Sequence, residues 1–281
     1  MSVTKSATRG FDTRKLVGLG LLTAIVVVLQ LIGATIRFGT FSVSLVLMPI
    51  VVGAALYGVG AGAWLGLVFG LVVLISGDAH LFMTINPFGT IVTVLAKGIL
   101  AGLVSGLVYR LLSGKETTGR LAMCIGSVLL MAAGAFLIIF GVKQNTGAIP
   151  EVSAVVRSST GNESVSTMSG TTLIVIGAIL AAVGLALIAY TLIKRPVLDV
   201  SAAVFVSAAV CPIVNTGIFL LGCYLFFFDT IKEWAGGTNV GTFMIVGLVG
   251  MNFIFELVIN LILSPAIVML IRIGEKSIAK K

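Results

Sequence analysis

The chain reads as an all-α, polytopic membrane helix bundle, and three observations carry that expectation. Of its 281 residues, 58% are hydrophobic and only 10% are charged, with a mean hydropathy of +1.20, far from the composition of water-soluble domains. So few charges cannot cover a water-facing surface, and the apolar excess must face lipid. The apolar runs also suit helices, which need about 20 residues rising about 1.5 Å each to cross a hydrocarbon core of roughly 30 Å. A soluble enzyme, a secreted disulfide scaffold and a disordered chain are excluded.

Eight spans are expected, at 16–36, 43–57, 61–76, 88–112, 121–142, 171–193, 200–228 and 240–271. The first follows a basic tail (1–15) and is too long for a signal-peptide core, so it counts as a span. The second and third are short and meet at Gly58-Val59-Gly60. The fourth closes a first core segment, 16–118. The fifth and sixth are almost purely apolar and enclose a Ser-, Thr- and Gly-rich stretch, 143–170, expected to be an extracellular mobile loop. Together, 119–195 reads as an inserted transmembrane hairpin. The last two spans complete the core (196–272), before a second basic tail (273–281).

An even span count places both termini on one side, and the basic residues say which. With cytoplasmic termini, thirteen lie inside: Lys5, Arg9, Arg14, Lys15, Arg110, Lys115, Arg120, Lys194, Arg195, Arg272, Lys276, Lys280 and Lys281. Arg37, Lys143, Arg157 and Lys232 lie outside, and Lys97 falls within a span. The formal charge of +8 is thereby a topology signal and needs no nucleic acid. Cys124, Cys211 and Cys223 show no metal-ligand spacing and read as small core residues.

Ionisable groups inside a bilayer cost about 2.5–3.5 kcal/mol each, so each needs a partner or a purpose. There are two, Lys97 and Glu256. Lys97 lies roughly 15 Å into the fourth span, at the same rise per residue, and Glu256 lies near the middle of the eighth, so one cavity can hold both. Asn86, Thr90, Thr93 and Lys97 recur at i, i+4, i+7 and i+11, one helical face. Asn252, Glu256 and Asn260 form a second stripe, and Asn215 and Thr216 follow Pro212 in the seventh span. These polar groups have only one another, water or a ligand to bond. A buried Lys97–Glu256 ion pair with amides as interhelical glue is the structural alternative. Gln30 and Arg37 are further candidates, while Asp78 and His80 read as outer-surface residues.

Glycines at 58, 62, 66 and 70, and at 98, 102 and 106, form rows that let helix backbones approach. Gly20 and Ala24 make a shorter small-residue patch, suited to a partner helix. No phosphate loop, nucleophile elbow, H-E-x-x-H or acidic metal cluster is present, and Gly114-Lys115 lacks the upstream glycine spacing. Catalysis and a cofactor are not expected, and neither charge rings nor a carbonyl filter suggest a channel. Small-molecule binding in a polar pocket remains.

Four stretches, 41–70, 85–106, 212–226 and 252–270, resemble the substrate-binding S component of energy-coupling factor (ECF) vitamin transporters. Asn86-Pro87, Asn215-Thr216, Glu256, the Pro49 region and the basic Lys97 look most similar to pantothenate-type members. The resemblance implies a six-helix bundle that captures a vitamin-like small molecule with high affinity and topples within the lipid membrane to release it. It also implies as partners a transmembrane T component and two ATP-binding-cassette ATPase subunits, in keeping with the missing phosphate loop. A lysine in a desolvated pocket suits a carboxylate, and amides suit hydroxyls, as in pantothenate. Three departures stand out. Gly20-x-x-x-Ala24 replaces the family's Ala-x-x-x-Ala, Gly58-Val59 replaces Gly-Pro, and 119–195 is extra. The expectation is an importer subunit that is not an enzyme. A proton-coupled carrier using Glu256, or a structural membrane subunit, is the alternative.

Overall fold

The computed structural model describes residues 13–34, 36–38, 41–42, 44–113, 116–146, 152–157, 163–193, 199–237 and 239–279. Of the orientation residues, Lys5, Arg9, Lys115, Lys194, Arg195, Lys280 and Lys281 lie outside these, as do the side chains of Arg14, Arg37, Arg120, Arg157 and Lys276.

The chain is a polytopic helix bundle. Its long helices are α1 (Thr13–Gly33), α3 (Val59–Ile75), α5 (Pro87–Leu112), α6 (Glu116–Asn145), α7 (Gly170–Ile193), α8 (Asp199–Phe226) and α11 (Gly250–Ala279). Short helices are α2 (Leu47–Tyr57), α4 (His80–Ile85), α9 (Phe228–Trp234) and α10 (Val240–Thr242). Four of the described helices, within α1, α5, α8 and α11, are long and apolar enough to cross a membrane.

The expected second span is α2, only 11 residues or about 16 Å long at the standard rise, and it is buried from Leu47 to Ala54 except at Met48. An all-apolar helix this short serves as core, not as a lipid-facing span. It meets α3 through Gly58 alone, whose φ of 96° only glycine adopts freely. The expected eighth span is likewise broken. A π-helical turn, Phe243–Leu248, precedes α11, where Gly241, Gly247 and Gly250 weaken the regular helix.

Stretch 143–170 is a correction. It holds strands β3 (Val152–Arg157) and β4 (Glu163–Met168), which join β1 (Ile36–Phe38) and β2 (Phe41–Ser42) in an antiparallel sheet ordered β2-β1-β3-β4. Polar composition suggested a loop, but Val152, Val155, Val156 and Val165 are β-formers, and β1 offers an edge to pair with. Ile36, Arg37 and Phe38 face Val156, Val155 and Ala154. The α6–α7 hairpin is therefore tied to the chain just after α1.

Helix α3 crosses α5 through the predicted glycine rows. A Cβ on Gly66 would strike the Gly98 carbonyl, one on Gly102 the Gly62 carbonyl, and the reverse holds for each pair. Helices α6 and α7 meet similarly at Gly134 and Gly177. The hairpin then buries Leu137, Leu173 and Leu180 against Ala209, Leu257 and Leu261 of α8 and α11.

Helix α5 begins at Asn86-Pro87. The Asn86 side chain accepts from Gly89 N–H at 3.0 Å, and proline occupies the first helical position, where no donor is needed. Asn86→Ala is expected to cost about 1 kcal/mol, the usual value of an N-cap, measurable as a lowered Tm in detergent.

Candidate substrate-binding cavity

Each helix end near the cavity contributes a few polar side chains to an otherwise apolar wall. The cavity holds about 720 Å³ of atom-free space, counting its open mouth. Gln30 comes from the last turn of α1 and Ser44 from the segment before α2. Asp78 and Ala79 come from the turn after α3. Helix α5 supplies Thr90, Thr93 and Lys97, helix α8 supplies Asn215, Thr216 and Phe219, and α11 supplies Asn252 and Glu256. These positions lie late in α1, past the middle of α8 and early in α5 and α11, so the cavity lies toward the bundle end opposite the start of α1 and the end of α11.

Glu256 is the best-held of these groups. It is buried, and its Oε1 accepts from Ser44 N–H at 3.2 Å and from Asn252 Nδ2 at 3.1 Å. Across the cavity, Gln30 Nε2 donates to Asp78 Oδ2 at 2.8 Å. Two carboxylates thus each hold an amide, and in both cases the amide oxygen is left over: Gln30 Oε1 and Asn252 Oδ1 have no partner among the described residues. The same is true of Thr93 Oγ1, Asn215 Oδ1 and Glu256 Oε2. Buried oxygens without donors are costly, and a ligand rich in N–H or O–H groups, or carrying positive charge, would satisfy them.

Lys97 reaches the same space. Its Nζ lies 5.6 Å from the Phe69 ring centroid and 5.3 Å from that of Phe219, within cation–π range. No ion pair joins it to Glu256 among the described residues, so the direct pair weighed from sequence is absent while both groups share one chamber. Phe82, Phe219 and Phe227 give the chamber an aromatic side, with Phe82 edge-on to Phe219 at 5.7 Å and to Phe227 at 4.8 Å.

Of the residues singled out from sequence, Gln30, Thr90, Thr93, Lys97, Asn215, Thr216, Asn252 and Glu256 come together here. Asn86 and Asn260 are outside the lining. Asn86 caps α5, and Asn260, one turn beyond Glu256, is buried and donates to the Glu256 carbonyl at 2.8 Å. Arg37 sits on β1, with its side chain outside the described residues. Asp78 and Ser44 are the residues the sequence reading missed. Asp78 read as an outer-surface residue, and no local signal distinguishes it, since its place depends on α1 bringing Gln30 alongside. Among the described residues no cluster of His, Cys, Asp or Glu could hold a metal ion.

A family profile described as "Thiamine transporter protein (Thia_YuaJ)" matches residues 16–189. The chain belongs to this family. Its members form a class of ECF S components, a transporter class and not an enzyme class, found as multi-pass proteins of the bacterial plasma membrane. The match carries the S-component class and not the pantothenate type that the sequence resembled. It runs from α1 through most of α7, hairpin included, and stops short of α8 and α11, which bear Asn215 and Glu256. No curated protein and no solved structure matches the chain.

Proposed function

We propose that this thiamine transporter family member is the substrate-binding S component of an ATP-driven ECF importer, and that its ligand is a positively charged, donor-rich vitamin of the thiamine type. One observation supports this reading above the others. The described cavity lining includes the carboxylates of Asp78 and Glu256, and of its buried oxygens left over four are pure acceptors, on Gln30, Asn215, Asn252 and Glu256, beside the Thr93 hydroxyl. A cation suits the Glu256 carboxylate, whose Oε2 has no partner among the described residues, amino or hydroxyl donors satisfy the amide oxygens, and the aromatic side accepts a flat ring.

Energy would come from a T component and two ATP-binding-cassette subunits. The exposed patch around Gly20 and Ala24 on α1 suits the T-component contact, since nothing lies within 4 Å of a Cβ placed on Gly20. The cavity would face outward, with both termini cytoplasmic. A pantothenate-type ligand is the second reading, favoured by Lys97, whose ammonium has no ion pair to Glu256 and could take a carboxylate.

Isothermal titration of the purified chain with thiamine, pantothenate and biotin tests the ligand. Thiamine should bind at least a hundredfold more tightly than either acid, and tighter binding of pantothenate would replace the first reading with the second. Uptake of labelled thiamine by cells should require co-expressed ATPase subunits. Uptake that instead follows the proton gradient without them would favour the carrier alternative.

A further inference from the structure

The chamber has two poles of unmet hydrogen bonding, and they lie on different helices. On α11, Asn252 and Glu256 stand one turn apart, and Asn252 Oδ1 and Glu256 Oε2 have no partner among the described residues. On α5, Thr93 and Lys97 stand one turn apart in the same lining, and there the unmet groups can donate. The Thr93 hydroxyl has no partner, and no hydrogen bond or ion pair among the described residues holds the Lys97 ammonium. We propose that Thr93 and Lys97 form a subsite for an acid group on the ligand, a carboxylate or a phosphate, so that the chamber takes a dipolar molecule with its cation at Glu256 and its acid at Lys97. The inference rests on the cationic-ligand reading above and adds the ligand's second charge.

Lys97 is attracted where it stands without being satisfied there. The faces of Phe69 and Phe219 draw its charge at 5.6 and 5.3 Å but offer no oxygen to its N–H groups. Once a ligand has displaced water from the chamber, donors from which nothing accepts are costly, and an acid oxygen is the acceptor that suits an ammonium best. Thr93 strengthens the case, because its side chain is 4% exposed and its hydroxyl can donate to a second oxygen of the same acid. Thr90, the preceding hydroxyl on this face, is already spent on the Asn86 carbonyl at 2.8 Å. Helix α8 packs against both α5 and α11, which scarcely touch each other, so it separates the two poles and presents Asn215 and Thr216 between them. A ligand lying across this face of α8 reaches both. With a cation alone it would share the chamber with an ammonium that repels it. An acid at its far end turns that repulsion into attraction. The subsite therefore selects dipolar ligands over plain cations, and over plain acids, which leave Glu256 unmatched.

The roles Lys97 could play separate on one ratio, the affinity for an acid derivative of a cationic ligand over that for the ligand itself. A lysine that only packs on phenyl rings leaves this ratio alone when it is removed. One that acts through its charge at a distance keeps the ratio when Thr93 is replaced. A subsite built by both residues loses the preference with either.

Isothermal titration of the full-length chain in detergent compares thiamine with two acids built on it: thiamine acetic acid, whose hydroxyethyl arm ends instead in a carboxylate, and thiamine monophosphate. The wild type should bind at least one of them about tenfold more tightly than thiamine, the carboxylate if the subsite lies within the arm's own reach and the phosphate if it lies further. In Lys97→Met that preference should vanish or reverse, and in Thr93→Val it should fall by about threefold or more. Lys97→Arg, which keeps the charge and the donors, should retain a preference. An uncharged isostere, with a neutral thiophene in place of the thiazolium, reads the other pole and should bind the wild type more weakly than thiamine. A wild type that binds neither acid more tightly than thiamine overturns the inference and leaves the cationic-ligand reading standing. So does a preference that survives in Lys97→Met or is untouched in Thr93→Val. A wild type that binds thiamine no better than the isostere overturns the cationic reading, and the dipolar ligand with it. Should Lys97→Met fail to fold, Lys97→Gln, uncharged but still polar, takes its place with the same expected loss, and the wild-type comparison decides without any variant.

Discussion

Glu256→Gln is expected to raise the Kd for a cationic ligand at least a hundredfold. The substitution preserves shape, and its carbonyl can still accept from Ser44 N–H, so the change isolates the charge. Glu256 is 2% exposed and has one oxygen, Oε2, without a partner among the described residues. Removing one member of a buried ion pair costs about 3–5 kcal/mol, because the other charge stays buried and uncompensated. Here the uncompensated charge would be the ligand's. By the same energy, binding falls by more than two orders of magnitude. Titration with thiamine and with its uncharged isostere checks the cause, since the isostere should lose far less. A thiamine Kd within threefold of the wild type would show that Glu256 does not meet the ligand.

The second large effect is on folding. Gly66→Val should abolish the compact bundle, because the new side chain would meet the backbone of Gly98 and Ile99 and not a movable side chain. Overpacking a well-filled core typically costs about 1–3 kcal/mol, and backbone that cannot yield puts this case at or beyond the upper end. The consequence reaches the cavity, since α3 leads into Asp78 and α5 carries Thr93 and Lys97. Gly60→Val is the control. A Cβ there meets nothing within 4 Å, so the variant should fold normally although it lies in the same glycine-rich run. Size-exclusion profiles and Tm in detergent compare the two, and a monodisperse Gly66→Val with unchanged Tm would refute the packing argument.

Much of the site is legible in the chain because helical periodicity survives in a membrane protein. Thr90, Thr93 and Lys97 share one face of α5, and Asn252 and Glu256 one face of α11, so spacing alone groups them. The same logic overreaches at the ends of each stripe. Asn86 continues the α5 face but is consumed by capping, as the following proline signals. Asn260 continues the α11 face but turns back on its own helix, bonding the carbonyl of Glu256. Asp78 and Ser44 escape periodicity altogether, since they belong to connections and not to helices. The β3–β4 hairpin is a similar case: its valines suit a strand, but the edge that receives it is over a hundred residues earlier in the chain.

Composition and apolar runs by themselves determined that this protein lives in a membrane, where its long helices lie, and which helix faces are polar. Those properties are local, set by how many groups each segment must keep from lipid. Tertiary structure alone decided that α2 is buried core and that stretch 143–170 pairs with β1. It also decided that Lys97 rests over two phenyl rings instead of pairing with Glu256, and that Asp78 joins the cavity. Each of these depends on contacts between segments far apart in sequence. A side chain's neighbours there are chosen by how helices pack and cross, which no single segment encodes.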